Sequence, residues 1–243
     1  MKGIILAGGL GTRLYPLTRI TNKHLLPVYD KPMIFYPIEM MVKAGINDIM
    51  IVTGGNNSGD FLRLLGNGKE FGLKRMHYSY QEGEGGIADA LKLCEEFVGK
   101  DKMVVALGDN IIEKNIIENV KTFRKQKKGA RILLKEVSNP SAYGVVEIKN
   151  GKIKRIVEKP ENPKSNYAVV GIYFYQADVF DVIRRLKPSN RGELEITDVN
   201  NVYLKKGQLA YDFLDGWWYD CGESKDALLT ANNYVKKFGA NNV

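Results

Sequence analysis

The sequence predicts an α/β protein built on a doubly wound, mostly parallel central sheet, with a β-rich insertion in its second half. Three observations predict it. Short β-rich runs alternate with helical patterns over the first half, the opening run leads straight into a glycine loop, and four strand-like runs follow one another in the second half. Strands that alternate with helices build parallel sheets covered on both faces.

Taken in order, Lys2–Ala7 is an apolar run ending in glycines and reads as a buried strand. Asp48–Thr53, Met76–Tyr80 and Met103–Leu107 repeat that pattern, and Met33–Ala44, Asp60–Leu65 and Ile87–Phe97 between them read as helices. In such a sheet ligands bind beyond the carboxyl ends of the strands, which points to the loops opening at Gly8, Gly54, Gln81 and Gly108. Farther on, Arg131–Val137, Tyr143–Lys149, Lys152–Glu158 and Val169–Tyr175 read as strands, the middle two joined by an Asn150-Gly151 hairpin turn. Glu195–Lys206 and Lys225–Lys237 read as helices. No linker, repeat or low-complexity stretch interrupts the chain, so one unit over residues 1–243 is expected.

A chain of 243 residues buries a core without disulfides. Cys94 and Cys221 stand far apart, outside any metal-ligand spacing, and His24 and His77 are the only histidines. Neither a disulfide framework nor a zinc site is expected. No apolar run approaches the roughly 18 residues of a membrane span, and the N-terminal run enters a glycine loop instead of a cleavage site. The expected location is the cytoplasm. The net charge of +8 comes from scattered lysines. The densest run, Arg124 to Lys128, sits at a predicted helix end, where the helix dipole favours positive charge. Without interleaved aromatic and basic residues, no nucleic-acid partner is expected, nor a membrane.

The chemistry begins at Leu6-Ala7-Gly8-Gly9-Leu10-Gly11-Thr12-Arg13-Leu14. A strand running into three glycines lets the backbone approach phosphates closely, and Arg13 adds a forked cation. A Walker A loop would need Gly-Lys-Ser/Thr at its end, and a dinucleotide fingerprint a third glycine where Leu14 stands. Asp109 follows the apolar run Met103–Leu107, a position suited to holding a cation, and Asp220 is the second such candidate. Magnesium is the expected ion, because carboxylate and triphosphate oxygens are hard ligands. In Glu158-Lys159, a carboxylate that can accept hydrogen bonds stands beside a cation. No serine or cysteine nucleophile with a base partner is apparent.

In combination, Gly-Gly-x-Gly-Thr-Arg-Leu-x-Pro-Leu-Thr from Gly8, Lys23-His24-Leu25-Leu26-Pro27 and Lys31-Pro32-Met33-Ile34 resemble the signature of sugar-1-phosphate nucleotidylyltransferases, and within them the thymidylyltransferase branch. The likeness continues through Leu107-Gly108-Asp109-Asn110, Tyr143 to Glu147, Glu158-Lys159-Pro160, Pro163 to Val169 and Arg191 to Asp198, over nearly the whole chain. It implies a Rossmann-like nucleotidyltransferase fold in one domain. A nucleotide-binding half would cover about 1–130, a sugar-phosphate half about 131–223, and a C-terminal helix 224–243.

The resemblance also implies roles. Leu6, Gly8, Gly9, Gly11, Thr12, Arg13, Lys23 and Asp109 would hold the nucleotide, with Gln81 and Gly86 reading the base. Leu107, Gly144, Glu158, Lys159, Val169, Arg191 and Trp218 would hold the sugar phosphate, and Asp109 with Asp220 would hold Mg2+. Arg13, Lys23, Asp109 and Lys159 would be catalytic. The implied substrates are dTTP and glucose 1-phosphate, joined with release of pyrophosphate, and rhamnose or other deoxysugar synthesis is the implied use. Asp89 is a weak candidate, inside the helix after the glycines, and Glu82 and Glu84 have no evident role. Uridylyl transfer is the nearest rival, and a non-catalytic nucleotide-sugar sensor a more distant one. The chain ends at Val243, without the extension through which longer relatives form subunit contacts and a secondary nucleotide site. The sequence leaves such regulation open, and a homo-oligomer with it.

Overall fold

The computed structural model describes residues 1–55 and 57–243. In chain order the first half comprises β1 (Lys2–Ala7), β2 (Pro27–Val28), β3 (Lys31–Pro32), α1 (Phe35–Lys43), β4 (Ile49–Gly54), α2 (Ser58–Leu65), β5 (Met76–Gln81), α3 (Ile87–Lys92), α4 (Glu95–Val98), β6 (Met103–Leu107), β7 (Asn110–Ile112) and α5 (Ile117–Lys125). The second half comprises β8 (Ala130–Glu136), β9 (Gly144–Lys149), β10 (Lys152–Glu158), β11 (Tyr167–Tyr175), α6 (Val179–Ile183), α7 (Ile196–Lys205), β12 (Leu209–Phe213), β13 (Trp218–Asp220) and α8 (Lys225–Phe238).

Strands β6, β1, β4 and β5 lie side by side and parallel, the doubly wound centre the sequence predicts. Period-two alternation along β1 feeds both faces. Ile5 and Ala7 pack with α1 and α5 residues such as Ile38 and Phe123. Ile4 and Leu6 pack on the other face with Ala88 and Leu91 of α3 and Val199 and Tyr203 of α7. The second-half strands join antiparallel: β11 runs beside β6, and β9 and β10 form the predicted hairpin outside it. β8 takes another edge of β11 after a register shift between Val169 and Tyr173, and carries β12.

Two boundaries differ from the sequence reading for identifiable reasons. The helix expected from Met33 begins at Phe35, because the Met33 and Ile34 amides donate instead to Leu26 O and His24 O. The helix expected over 87–97 is two, because Leu93 and Cys94 donate three residues back, to Ala90 O and Leu91 O, and the turn tightens.

A ribbon not anticipated from the sequence pairs β7 antiparallel with β13, setting Asp220 opposite Asn110. It roofs a third cluster, in which Ile111, Trp217 and Cys221 pack with Leu14, Tyr36 and Leu228. Asn110, 3% exposed, ties this ribbon to the main sheet. Its Oδ1 accepts from Trp218 Nε1 at 2.8 Å and from the Gly171 amide of β11 at 3.0 Å. Asn110→Ala would orphan two buried donors, each costing about 1–3 kcal/mol. Urea unfolding should therefore show a loss on the order of 2–4 kcal/mol.

Candidate active site

The glycine loop leaves β1 at the carboxyl edge of the parallel strands. Gly11 adopts a left-handed conformation (φ 65) and starts a short 3-10 turn over Thr12–Leu14. Leu14 is fully buried and anchors the turn, which leaves Arg13 exposed beside it. A second 3-10 turn, Lys23–Leu25, is capped by Asn22, whose Oδ1 accepts from the His24 amide at 3.0 Å and lies 2.7 Å from His24 Nδ1. Burial, helped by the Lys23 charge, lowers the His24 pKa to about 3, so this imidazole is neutral and structural.

Lys23 reaches from that turn to Asp109, with Nζ 2.5 Å from Oδ2. Burial works against the lysine charge, but Asp109 and Asp220 outweigh it and its pKa is raised. Burial likewise opposes ionisation of Asp109, and the Lys23 ammonium overcomes it, holding this carboxyl below its usual range. Asp220 has no such partner. Burial and then the Asp109 charge push it up to about 7. Its Oδ1 accepts from the Gly222 amide at 2.9 Å. Gly222 must be glycine here, since a Cβ would overlap Asp109 Oδ2 and sit 2.9 Å from Lys23 Nζ.

On the far side, the β9–β10 register sets Gly144 opposite Glu158. Glu158 accepts from Thr197 Oγ1 at 2.6 Å, and burial raises its pKa against that bond. Lys159 follows with φ 41, an uncommon conformation for a residue with a side chain and one that concentrates at functional sites. Arg191 is forked onto Glu195, with Nη2 2.9 Å from each oxygen, and stands 3.8 Å from Glu158. Tyr143, packed on Trp218 with ring centroids 5.1 Å apart, donates to Glu223 at 2.5 Å.

These groups line one cleft of about 310 Å³. Sixteen of the residues singled out in the sequence are on its walls, from Leu6, Gly8, Gly9, Arg13 and Lys23 through Gln81, Gly86, Leu107 and Asp109 to Gly144, Glu158, Lys159, Val169, Arg191, Trp218 and Asp220. Gly11 and Thr12 are not; they shape the loop, where Gly11 O accepts from Thr18 Oγ1 at 2.8 Å. Sequence reasoning did not single out Thr197, Tyr143 or Asn110 as site residues, all of which line the cleft. It gave Asp89 little weight, yet Asp89 Oδ2 accepts from Gln81 Nε2 at 2.9 Å.

The nucleotidyl transferase family model matches residues 2–237. The chain belongs to this family. It is 45% identical over 240 residues to the glucose-1-phosphate thymidylyltransferase of Neisseria meningitidis, covering 97% of this chain and 83% of that one. Its counterpart from Mycobacterium tuberculosis is 47% identical over 240 residues, 97% of this chain and 82% of the relative. A crystal structure of a candidate glucose-1-phosphate thymidylyltransferase from Bacillus anthracis, in complex with sucrose, superposes with a TM-score of 0.93 at 53% identity, covering 98% and 96% of the two chains. A UDP-glucose pyrophosphorylase complexed with UDP-glucose matches with a TM-score of 0.82 at 27% identity, covering 97% and 98%. Nucleotidyl transfer is thus the activity class. Among the described residues no helix is long and apolar enough to cross a membrane.

The crowded acids of this nucleotidyl transferase predict a pH effect. Asp220 has a folded pKa near 7 against an ordinary 3.8, so its penalty is absent below 3.8, grows as pH rises, and is complete above about 7. In chelator, Asp220→Asn keeps an acceptor for Gly222 and should raise the melting temperature by roughly 3–6 °C at pH 8. Little gain should remain at pH 4.5, a comparison that thermal unfolding at the two values makes directly.

Proposed function

We propose that the chain transfers a thymidylyl group from dTTP to α-D-glucose 1-phosphate, giving dTDP-glucose and pyrophosphate. One observation carries this reading: a single cleft joins the glycine loop and Arg13, a Lys23–Asp109–Asp220 charge cluster, and the Glu158–Lys159 pair. The thymidylyltransferase relatives support the choice of both substrates.

In this mechanism an oxygen of the sugar phosphate attacks the α-phosphorus of dTTP in line, and the bond to the bridging oxygen of the pyrophosphate breaks. The attacking phosphate is already ionised near neutral pH, so no general base is needed. Catalysis then consists of positioning two anions and neutralising their charge. Arg13 steadies the triphosphate from the glycine loop. Lys23 turns from Asp109 toward the phosphates and stabilises the departing pyrophosphate. Lys159 holds the nucleophilic phosphate, while Glu158, fixed by Thr197, accepts from sugar hydroxyls. Arg191, already forked onto Glu195, frames that side more than it supplies free charge.

Asp109 and Asp220 are the residues that would hold Mg2+. Among the described residues no three-ligand metal cluster occurs, and a pair suits this ion, which takes one or two carboxylates together with substrate phosphates and water. A buried and a half-buried acid sharing one ammonium also leave negative charge uncompensated, as the raised pKa of Asp220 reflects. The ion, when bound, supplies positive charge at the α-phosphate. A cytoplasmic location goes with this reading.

Uridylyl transfer is the second reading, favoured by the likeness to a UDP-glucose pyrophosphorylase. Pyrophosphate release with magnesium, glucose 1-phosphate and each of dTTP, UTP, CTP, ATP and GTP tests both. Release should be fastest with dTTP, require the sugar phosphate, and fall by roughly 10²–10³ in Asp109→Asn. A clear preference for UTP would overturn the thymidylyl assignment, and nucleotide binding without release from any sugar phosphate would favour a sensor.

A further inference from the structure

Gln81 closes β5 and is 7% exposed. Its Nε2 lies 2.9 Å from Asp89 Oδ2 and 3.1 Å from Gly86 O. Both partners are acceptors, so both amide hydrogens are committed. Turning the amide over would set its carbonyl against a carboxylate and a second carbonyl. Oε1 is therefore held on the opposite side, toward the glycine loop, where a Cβ added to Gly8 would sit 3.3 Å from it. No donor reaches Oε1 among the described residues, and Gly8 and Gln81 both line the cleft.

The seat of Asp89 is itself tightly made. A Cβ on Gly85 would overlap the Asp89 carboxylate, so close approach of the backbone there requires glycine. Gly85 O accepts from the Leu194 amide at 2.8 Å, and Leu194 O from the Ala88 amide at 3.1 Å, which pins the segment to the chain entering α7.

We propose that Asp89 is the positioning residue that makes Gln81 a fixed hydrogen-bond acceptor, so that the nucleotide site selects bases with an imide N–H, thymine and uracil, over cytosine. This role presupposes the pyrimidine nucleotide site proposed above. Thymine and uracil present a donor at N3, which an acceptor satisfies. Cytosine presents a lone pair at N3, and a buried acceptor facing another acceptor loses its hydrogen bond outright. Asp89 never touches the base; it acts by denying Gln81 the flipped orientation that would suit cytosine.

A purely structural role is the competing account, since an acid in the first turn of α3 also complements the helix dipole. Such a role would change stability and leave base preference alone. The test is kcat/KM for dTTP and for dCTP on the same preparations of wild type, Asp89→Asn, Asp89→Ala and Gly85→Ala. The ratio of the two constants does not depend on the fraction of folded enzyme. Gly85→Ala displaces the carboxylate without altering any hydrogen-bonding side chain.

In Asp89→Ala and Gly85→Ala the preference for dTTP over dCTP should fall at least about tenfold. It should fall less in Asp89→Asn, whose amide oxygen still accepts from Gln81 but can turn over with it. KM for dTTP should rise while KM for glucose 1-phosphate stays within about twofold of wild type. An unchanged ratio, with or without a lower melting temperature, overturns the positioning role and leaves the nucleotide site standing. A wild type with no preference for dTTP over dCTP overturns the base-reading site and this role with it.

Discussion

Two carboxylates and one ammonium meet where Asp109 follows β6, Asp220 ends β13 and Lys23 reaches in from its 3-10 turn, with Asp109 buried and the other two half-buried. Asp109 is 5% exposed, and its Oδ2 accepts from Lys23 Nζ at 2.5 Å. Charges withdrawn from water lose solvation that a single ion pair only partly restores. Two further hydrogen bonds hold Asp109: Asn110 Nδ2 donates to Oδ1 at 3.0 Å, and the Cys221 amide donates to Asp109 O at 2.9 Å. Asp220 remains the uncompensated member, and apolar packing cannot relieve it. Stability is given up at this point and recovered in the cores on both faces of the sheet, the arrangement expected where function and folding conflict.

The sheet delivers these groups by geometry alone. Parallel strands end on the same side, so β1, β5 and β6 bring the glycine loop, Gln81 and Asp109 to one edge. An antiparallel hairpin does the complementary job, because its first strand begins where its second ends. Gly144 and Glu158 therefore face each other at that same edge, and Val145 pairs with Ala168 next to Val169. A change of strand direction between β6 and β11 is thus what converts a one-sided nucleotide platform into a cleft with a second wall. Hydrogen bonds between Gly85, Leu194 and Ala88 then join the two walls at the rim.

How much of this was legible in the sequence depended on range. Period-two alternation in Lys2–Ala7 and the hairpin at Asn150-Gly151 are local signals, and both elements stand where they were read. The glycine loop with Arg13, and the paired Glu158-Lys159, also declared their chemistry through neighbours in sequence. The β7–β13 ribbon did not, because each strand has three residues and its clamp joins Asn110 to Trp218, 108 residues away. The 3-10 turn holding Lys23 hid for a related reason: it is braced by the amides of Met33 and Ile34, from a segment read as a helix, which donate to Leu26 O and His24 O. Asp89 was discounted because a helical acid has an ordinary explanation. Its contact to Gln81 spans only eight positions, yet it follows from a glycine close-approach at Gly85 that no periodicity encodes. The pairing of Arg191, read as a sugar-phosphate ligand, with Glu195 was not legible, since Glu195 sits in a segment read simply as a helix start.

The same Gln81 geometry sets a limit on what this cleft distinguishes by hydrogen bonding. On the proposed reading, an acceptor held by Asp89 would meet an identical N3 donor on thymine and on uracil, and would contribute nothing to the choice between them. That choice must come from the 5-methyl group, whose burial in an apolar contact is worth about 1–3 kcal/mol, or from the 2′-hydroxyl of a ribonucleotide. Rejecting cytosine draws instead on a buried acceptor left facing another acceptor, a kind of polar mismatch that such sites turn into discrimination of up to about 10⁴–10⁵, against roughly 10–200 for a methylene. A fixed polar contact inside a mostly preformed cleft thus sorts bases sharply by donor pattern and only softly by shape. Sharp discrimination against cytosine combined with a graded preference between dTTP and UTP is the specificity this architecture supports, and a uridylyl enzyme of the same fold could differ from it in little more than the wall that meets the methyl group.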